Sequence, residues 1–380
     1  MKKKVMIITE RRADYSKLRP IIELIKKSSK LEYNLIVTGS HLLKKHGYTI
    51  NEIKKDGFKI TSKFKMFSNN GKDTGFEMTR SFGRSVIHLS NIIEKIKPDI
   101  ILSGFDISAN FAAAIIGAHT NHIVAHLEAG EITGTIDESI RHSISKFAHI
   151  HFTSNNKATK RLIKMGENPK FIFTVGSPTL DKIKKMRLIP KKELEHEFGL
   201  NLDKPFIIMM QHTVTTEINK IDEYFIETLK AIKEMKIQTI IIHGNTDAGS
   251  ETISKIIKNS KIHNYPNLPY EKYINLLKHA SVLVGNSSSG IIEAPFLHIP
   301  SINIGTRQSG RLSSKSVINV KYNKKKIKKA IEKTIKDKKY LSKVKKNENC
   351  YGNGNAAIKI VKILEKLELK KIPIQKRMMY

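Results

Sequence analysis

The sequence predicts an α/β protein built from two similar domains, each a parallel sheet covered on both faces by helices. Three observations carry this. Short apolar runs of strand length alternate with stretches of helical periodicity along most of the chain. The alternation is interrupted once, at 181–204, by a charged stretch that contains Pro190 and closes on Pro205. The chain has 380 residues. That is long for one ordinary core and suits two domains of roughly 150–200 residues each.

The first set of strands is Val5–Thr9, Leu35–Gly39, Ile100–Gly104, Ile123–Leu127, Ile150–Ser154 and Phe171–Gly176. Helical patterns lie between them, among them Leu18–Lys27 and Asn110–Ala118. A second set follows: Phe206–Gln211, Thr239–Gly244, Val282–Gly285 and Ser301–Gly305. The expected division is a first domain over 1–180, a connecting segment over 181–204 and a second domain over 205–355. A C-terminal helix within 356–380 is expected to cross back to the first domain. Open parallel sheets bind ligands outside the C-terminal ends of their strands, so a site between the two sheets is expected.

Composition narrows the class. Apolar residues make up 39% and charged residues 27%, enough for a sizeable core. The single cysteine, Cys350, excludes an internal disulfide and a thiolate zinc cluster, and fits a reducing cytoplasm. The apolar segment of MKKKVMIITE is too short for a signal peptide. No apolar run approaches the roughly 20 residues that span a bilayer, so no membrane partner is expected. The formal net charge of +33 raises the question of nucleic acid. Lysine is spread along the chain, however. Its densest tract, Lys321–Lys346, keeps Ile327, Ile331, Ile335 and Leu341 near helical spacing. That tract reads as one amphipathic helix with a lysine-coated outer face, and no nucleic-acid partner is expected.

No Walker-type GxxxxGK[ST] occurs, and YGNGNAA at Tyr351–Ala357 does not follow a strand. The chemistry gathers elsewhere. In AHLEAGEITGTIDESIRH a strand runs into Glu128 and Glu131, then into a helix starting near Ile136. Asp137 and Arg141 are four apart and share a helix face. A cap plus a surface ion pair is the plain reading. Against it stands the crowding of His126, Glu128, Glu131, Asp137, Glu138, Arg141 and His142 just after a buried strand. Clustered carboxylates can take split pKa values, one serving as acid and another as base. Asp106 follows strand Ile100–Gly104 and either caps the next helix or joins Glu128 at one sheet edge.

Val5–Ile8 runs straight into Glu10, Arg11 and Arg12, charges that point to an anion at the strand end. His212 closes the first strand of the second domain and is followed by threonines. There a protonated imidazole would assist a leaving phosphate oxygen. LVGNSSSGIIEAP places Ser287 and Ser288 between a strand and an expected helix, which is either a phosphate cradle or a plain turn. Glu293 lies beyond, within reach of a ribose diol. HGNTDAGS and NIGTRQSGR add Asn245 and Arg307 at two more strand ends. No metal-ligand spacing stands out, so neither metal nor cofactor is expected.

RADYSKL, HLEAGEITGTIDESIRH, QHTVTTE, GNTDAGS, GNSSSGIIEA and GTRQSGR, in that order, resemble the hydrolysing UDP-N-acetylglucosamine 2-epimerases of sialic- and legionaminic-acid biosynthesis. The resemblance covers roughly residues 3–365. It implies a GT-B-like fold, two Rossmann-like domains whose parallel sheets face across a cleft, and a homodimer or homotetramer. It implies a nucleotide sugar as substrate, most simply UDP-linked. Arg12, Ser16 and Lys17 would lie at the diphosphate or sugar, with His212, Ser287 and Ser288 on phosphates. Glu293 would bind ribose, and Asn245 and Arg307 would line the nucleotide side. Asp106, Glu128 and Asp137 would be the acid/base carboxylates, with His126 and Arg141 beside them. Glu10 and Arg11 depart from the Gly-Thr that the family often has, and the arginine of the Gly-Asp-Arg often found in its sialic-acid branch is missing after Asp106, a charge that Arg11 would replace.

The implied reaction is anti elimination followed by hydration. Rival readings are the same chemistry on UDP- or GDP-N,N′-diacetylbacillosamine, a GT-B glycosyltransferase, and a basic nucleic-acid-binding protein.

Overall fold

Val5, Met6, Ile7 and Ile8 are all fully buried, so β1 (Lys3–Thr9) is a central strand covered on both faces. The computed structural model describes residues 1–44, 47–68, 74–105, 108–134, 136–244 and 249–379. They form two compact units: Met1–Ile132, Ile136–Lys182 and Tyr351–Tyr380 in the first, Thr133–Thr135 and Ile183–Cys350 in the second.

In the first unit β1 is flanked by β2 (Leu31–Val37) and β4 (Ile100–Gly104). β3 (Ile60–Lys63) closes one edge. β5 (Ile123–Leu127), β6 (Ile150–Thr153) and β7 (Ile172–Thr174) extend the other, and every pairing is parallel. Side chains alternate between faces, so each face has its own core. Val5, Ile7, Leu35, Leu102 and Leu127 pack against helix Arg12–Lys27 and helix Ala356–Lys366. Met6, Ile8, Ile101 and Val124 pack against helices Gly75–Ile96, Ser108–His119 and Ile136–Phe147.

In the second unit the order is β10 (Asn264–Tyr265), β9 (Gln238–Ile242), β8 (Phe206–Met210), β11 (Val282–Gly285), β12 (Ser301–Ile304) and β13 (Val317–Val320), again all parallel. Both sheets thus follow the doubly wound order and reverse direction once, between β1 and β4 and between β8 and β11.

The expected C-terminal helix forms at Ala356–Lys366 and belongs to the first unit. Asp181 caps it, accepting from the N–H groups of Ala356 at 3.0 Å and Ala357 at 2.8 Å. Residues 181–204, expected as a connecting segment, include helix Lys191–Phe198, whose Leu194 and Phe198 are buried.

Other departures have plain causes. β3, β10 and β13 lie at or near sheet edges and are half-exposed, so they lack the continuous apolar run that marks the inner strands. The first helix starts at Arg12 rather than Leu18, because the Asp14 carboxylate accepts from the Arg11 N–H at 3.0 Å and holds its first turn. The lysine tract is two helices, Lys324–Lys336 and Lys338–Lys345. Asp337 ends the first and caps the second through the Tyr340 N–H at 2.9 Å. Ile327 and Ile331 are buried while most of the tract's lysines are exposed, which is the amphipathic division the spacing predicts. No described helix is long and apolar enough to cross a membrane.

Candidate functional site

Of the predicted residues of the first unit, Lys17 and Glu128 meet at the C-terminal edge of its sheet. β4 and β5 pair in register from Ile100↔Ile123 to Gly104↔Leu127, so Phe105 and Glu128 leave the sheet side by side. Both take left-handed backbone conformations, φ +67° and φ +53°. Each conformation costs about 1–2 kcal/mol for a residue with a Cβ, and such strain concentrates at functional positions. Two residues on, Gly130 has φ +73°, and a Cβ there would meet the Ala158 carbonyl oxygen at 2.6 Å.

Glu128 is buried. Its Oε2 pairs with Lys17 Nζ at 3.0 Å, and its Oε1 accepts from Ser177 Oγ at 2.9 Å. Lys17 stands 4.6 Å over the centre of the Phe105 ring. Burial alone pushes the Glu128 carboxyl up. Lys17, Ser177 and the Arg141 guanidinium outweigh burial and hold it below the ordinary carboxylate range. Glu128 is therefore ionised at neutral pH.

Arg141 is buried within helix Ile136–Phe147 and donates to the Glu131 carbonyl at 3.1 Å. Glu131 accepts from Asn155 Nδ2 at 2.5 Å and Tyr351 Oη at 3.3 Å, which fixes the turn after β5. Asp137 sits half-buried in the first turn of the same helix. Arg12 is half-buried in the first turn of its helix, and Ser16 donates to the Ala13 carbonyl at 2.7 Å.

His126 lies within β5. It is wholly buried, its Nδ1 pairs with Ser145 Oγ at 3.0 Å, and burial, then nearby cations, hold it neutral. Arg11 stands at the N-cap of helix Arg12–Lys27, and its guanidinium pairs with Asp14 at 3.3 Å. Glu10 is buried and accepts from the Ala109 N–H in the first turn of helix 108–119. Burial, then Asp14, push its carboxyl up to about 7. Asp106 lies outside the described residues.

In the second unit Asn286 is the hub of the reversal point. Its Oδ1 accepts from the His212 N–H at 2.6 Å, and its Nδ2 donates to the His212 carbonyl at 2.9 Å. Its own carbonyl accepts from Arg307 Nη1 at 3.2 Å and Gln308 Nε2 at 2.9 Å. Strand ends β8, β11 and β12 are thereby tied at one residue. Gly285 precedes it with φ +139°, where a Cβ would lie 2.0 Å from the Met210 carbonyl oxygen.

Ser287 accepts from the Ser289 N–H at 3.3 Å, and Ser289 pairs with Tyr273 Oη at 2.5 Å. The expected helix after them is a 3₁₀ turn, Ser288–Gly290, followed by a single turn, Glu293–Phe296. The helix dipole is therefore small here, and the polarity comes from hydroxyl and amide groups. Glu293 is buried and, after burial itself, raises the Tyr270 and Tyr273 hydroxyl pKa values. Burial, then Arg307, push the His212 imidazole down to about 3. Asn245 lies outside the described residues. Among the described residues no His, Cys, Asp and Glu group is placed to hold a metal.

Sequence reasoning missed Ser177, Phe105 and Asn286. Ser177 and Asn286 each follow a strand end directly, which is the signal that finds them. The left-handed Phe105 has no sequence signal.

The family model described as UDP-N-acetylglucosamine 2-epimerase matches residues 23–365. A UDP-N-acetylglucosamine 2-epimerase of Neisseria meningitidis is 38% identical over 333 residues, 87% of each chain. A UDP-N,N′-diacetylbacillosamine 2-epimerase (hydrolyzing) of Legionella pneumophila is 32% identical over 373 residues, 97% of each. The crystal structure of a Neisseria meningitidis UDP-GlcNAc 2-epimerase bound to UDP-GlcNAc superposes with a TM-score of 0.84 at 20% identity, covering 96% of this chain and 100% of that one. With two parallel doubly wound sheets and a match over most of its length, the chain belongs to the UDP-N-acetylglucosamine 2-epimerase family.

Proposed function

We propose that this chain is a hydrolysing 2-epimerase, converting UDP-N-acetylglucosamine and water to N-acetylmannosamine and UDP. The observation that carries the reading is Glu128, a buried carboxylate kept anionic by Lys17 and Ser177 at a strand end. A carboxylate held ionised in this way is in the state from which a proton acceptor starts. Family membership supplies the substrate class.

The C2 hydrogen of the sugar is not acidic, so C1–O cleavage leads and its electron pair departs with UDP. Arg12, His212, Ser287 and Ser288 stabilise that leaving diphosphate, with Arg307 and Asn245 beside the nucleotide and Glu293 on the ribose. A carboxylate among Asp106, Glu128 and Asp137 takes the C2 proton, giving 2-acetamidoglucal. A second carboxylate returns a proton to the opposite face of C2, and water adds at C1. Glu128, ionised at rest, suits the proton-accepting role.

The Legionella relative, aligned over nearly the whole chain, favours one second reading: the same reaction on a UDP- or GDP-linked diacetylbacillosamine. The test is incubation with a panel of UDP- and GDP-sugars in D2O. Deuterium at C2 of the released 2-epimer supports the reaction and identifies the substrate. UDP release with unlabelled sugar overturns the mechanism, and a product still joined to its nucleotide overturns hydrolysis.

A further inference from the structure

Helix Ile136–Phe147 ends on carbonyls that have no partner further along the helix. Two of them, Ser145 and Lys146, accept hydrogen bonds from Lys376 Nζ at 2.7 Å and 3.0 Å. Lys376 is distant in sequence, on the segment that follows helix Ala356–Lys366 in the same unit. Its ammonium also pairs with Glu167, a fully buried carboxylate that His151 Nε2 reaches at 3.1 Å and Lys146 Nζ at 3.3 Å. The segment around it is held at two other points. His149 Nε2 donates to the Ile374 carbonyl at 3.0 Å, and the Met379 N–H donates to the Gly166 carbonyl at 2.8 Å.

A cation on the last carbonyls of a helix complements its dipole. Here the cation comes from another part of the chain, so it fixes where the helix lies as well as stabilising its end. That helix carries Asp137 at its start and Arg141 in its middle, and Arg141 in turn holds the turn after Glu128 through the Glu131 carbonyl. Ser145, whose carbonyl Lys376 binds, also holds His126.

We infer that Lys376 is a positioning residue that anchors helix 136–147 and so places Asp137 and Arg141 for the reaction. The catalytic half of this inference rests on the proposed function. The anchoring half does not.

The test compares the full-length protein with Lys376→Met and, should that variant fold poorly, with Lys376→Gln; both leave Glu167 its contacts with His151 and Lys146. Hydrogen exchange is read across the first unit, and kcat and KM are read with UDP-N-acetylglucosamine. Protection of the 136–147 amides is expected to fall at least tenfold while that of helix 356–366 is kept. The kcat is expected to fall on the order of tenfold with KM within about twofold, as displacement of a catalytic group predicts. Unchanged protection of 136–147, or a uniform loss across the unit, overturns the anchoring. Selective loss of protection with unchanged kcat overturns the catalytic placement. A wild-type protein without epimerase activity refutes the proposed function, and the exchange measurement then decides the anchoring by itself.

Discussion

Lys17 and Glu128 form a partly buried ion pair at 3.0 Å between the first helix of the chain and the end of β5. The lysine is a quarter exposed and lies over the Phe105 ring, so its cation is partly withdrawn from water on one side. Removing it leaves Glu128 buried with Ser177 as its remaining side-chain hydrogen bond. In Lys17→Met the Glu128 carboxyl therefore rises, since burial persists and its strongest opposing charge is gone. The acidic limb of kcat/KM against pH should move to higher pH. Chemical denaturation should show a loss of about 1–3 kcal/mol, the discounted cost of unpairing a charge beside water. An unmoved acidic limb would mean that Glu128 is not the titrating base.

Ser177→Ala isolates the second support. Losing one hydrogen bond to a charged group costs roughly 1.5–3 kcal/mol. If Ser177 acts through Glu128, kcat should fall more than KM rises. In a Glu128→Gln background the same substitution should have a clearly smaller effect. Equal effects in both backgrounds would assign Ser177 a role in packing alone.

The buried carboxyl of Glu10 is pushed up to about 7 from 4.5, by burial first and then by Asp14. The folded state then binds this proton more tightly than the unfolded state does. Between those two values stability falls as pH rises, and the penalty is complete above the folded value. Glu10→Gln keeps an oxygen to accept from the Ala109 N–H but cannot ionise. Its stability gain over wild type should be near zero in acid and grow to at most about 3 kcal/mol in mild alkali. A difference independent of pH, read by thermal unfolding across that range, would place the charge elsewhere.

The sequence made the inner strands legible because they are buried on both faces, which forces near-continuous apolar runs such as Val5–Ile8 and Phe206–Met209. Edge strands such as β3 and β13 carry no such run and were invisible. Glu128 and Ser287 could be found because charge or hydroxyl groups directly after a buried strand have little structural reason to be there. The surroundings of His126 were not legible, for the converse reason. It is in a strand interior, and whether such a histidine faces a site or a neighbouring helix depends on Ser145, nineteen positions away. The neutrality of His212 likewise rests on burial and on Arg307, neither of which is readable locally.

That neutrality yields the last prediction. Burial and the Arg307 cation hold the His212 imidazole at about 3, so in the unliganded protein it carries no charge across the working pH range. A diphosphate bound beside it supplies opposite charge and favours the imidazolium. Binding of UDP in mildly acidic buffer should therefore take up protons. Calorimetry in two buffers of different ionisation enthalpy measures that uptake directly. His212→Asn keeps the main-chain pairing with Asn286 and removes the titrating group, so the uptake should vanish and UDP should bind more weakly. Arg307→Ala should raise the imidazole's titration midpoint in the free protein, although burial still keeps it below 6.5, and NMR of the ring carbons reads this. If wild-type UDP binding takes up no protons, His212 meets the nucleotide as a neutral hydrogen-bond donor. The charge that stabilises the leaving group then comes from the arginines.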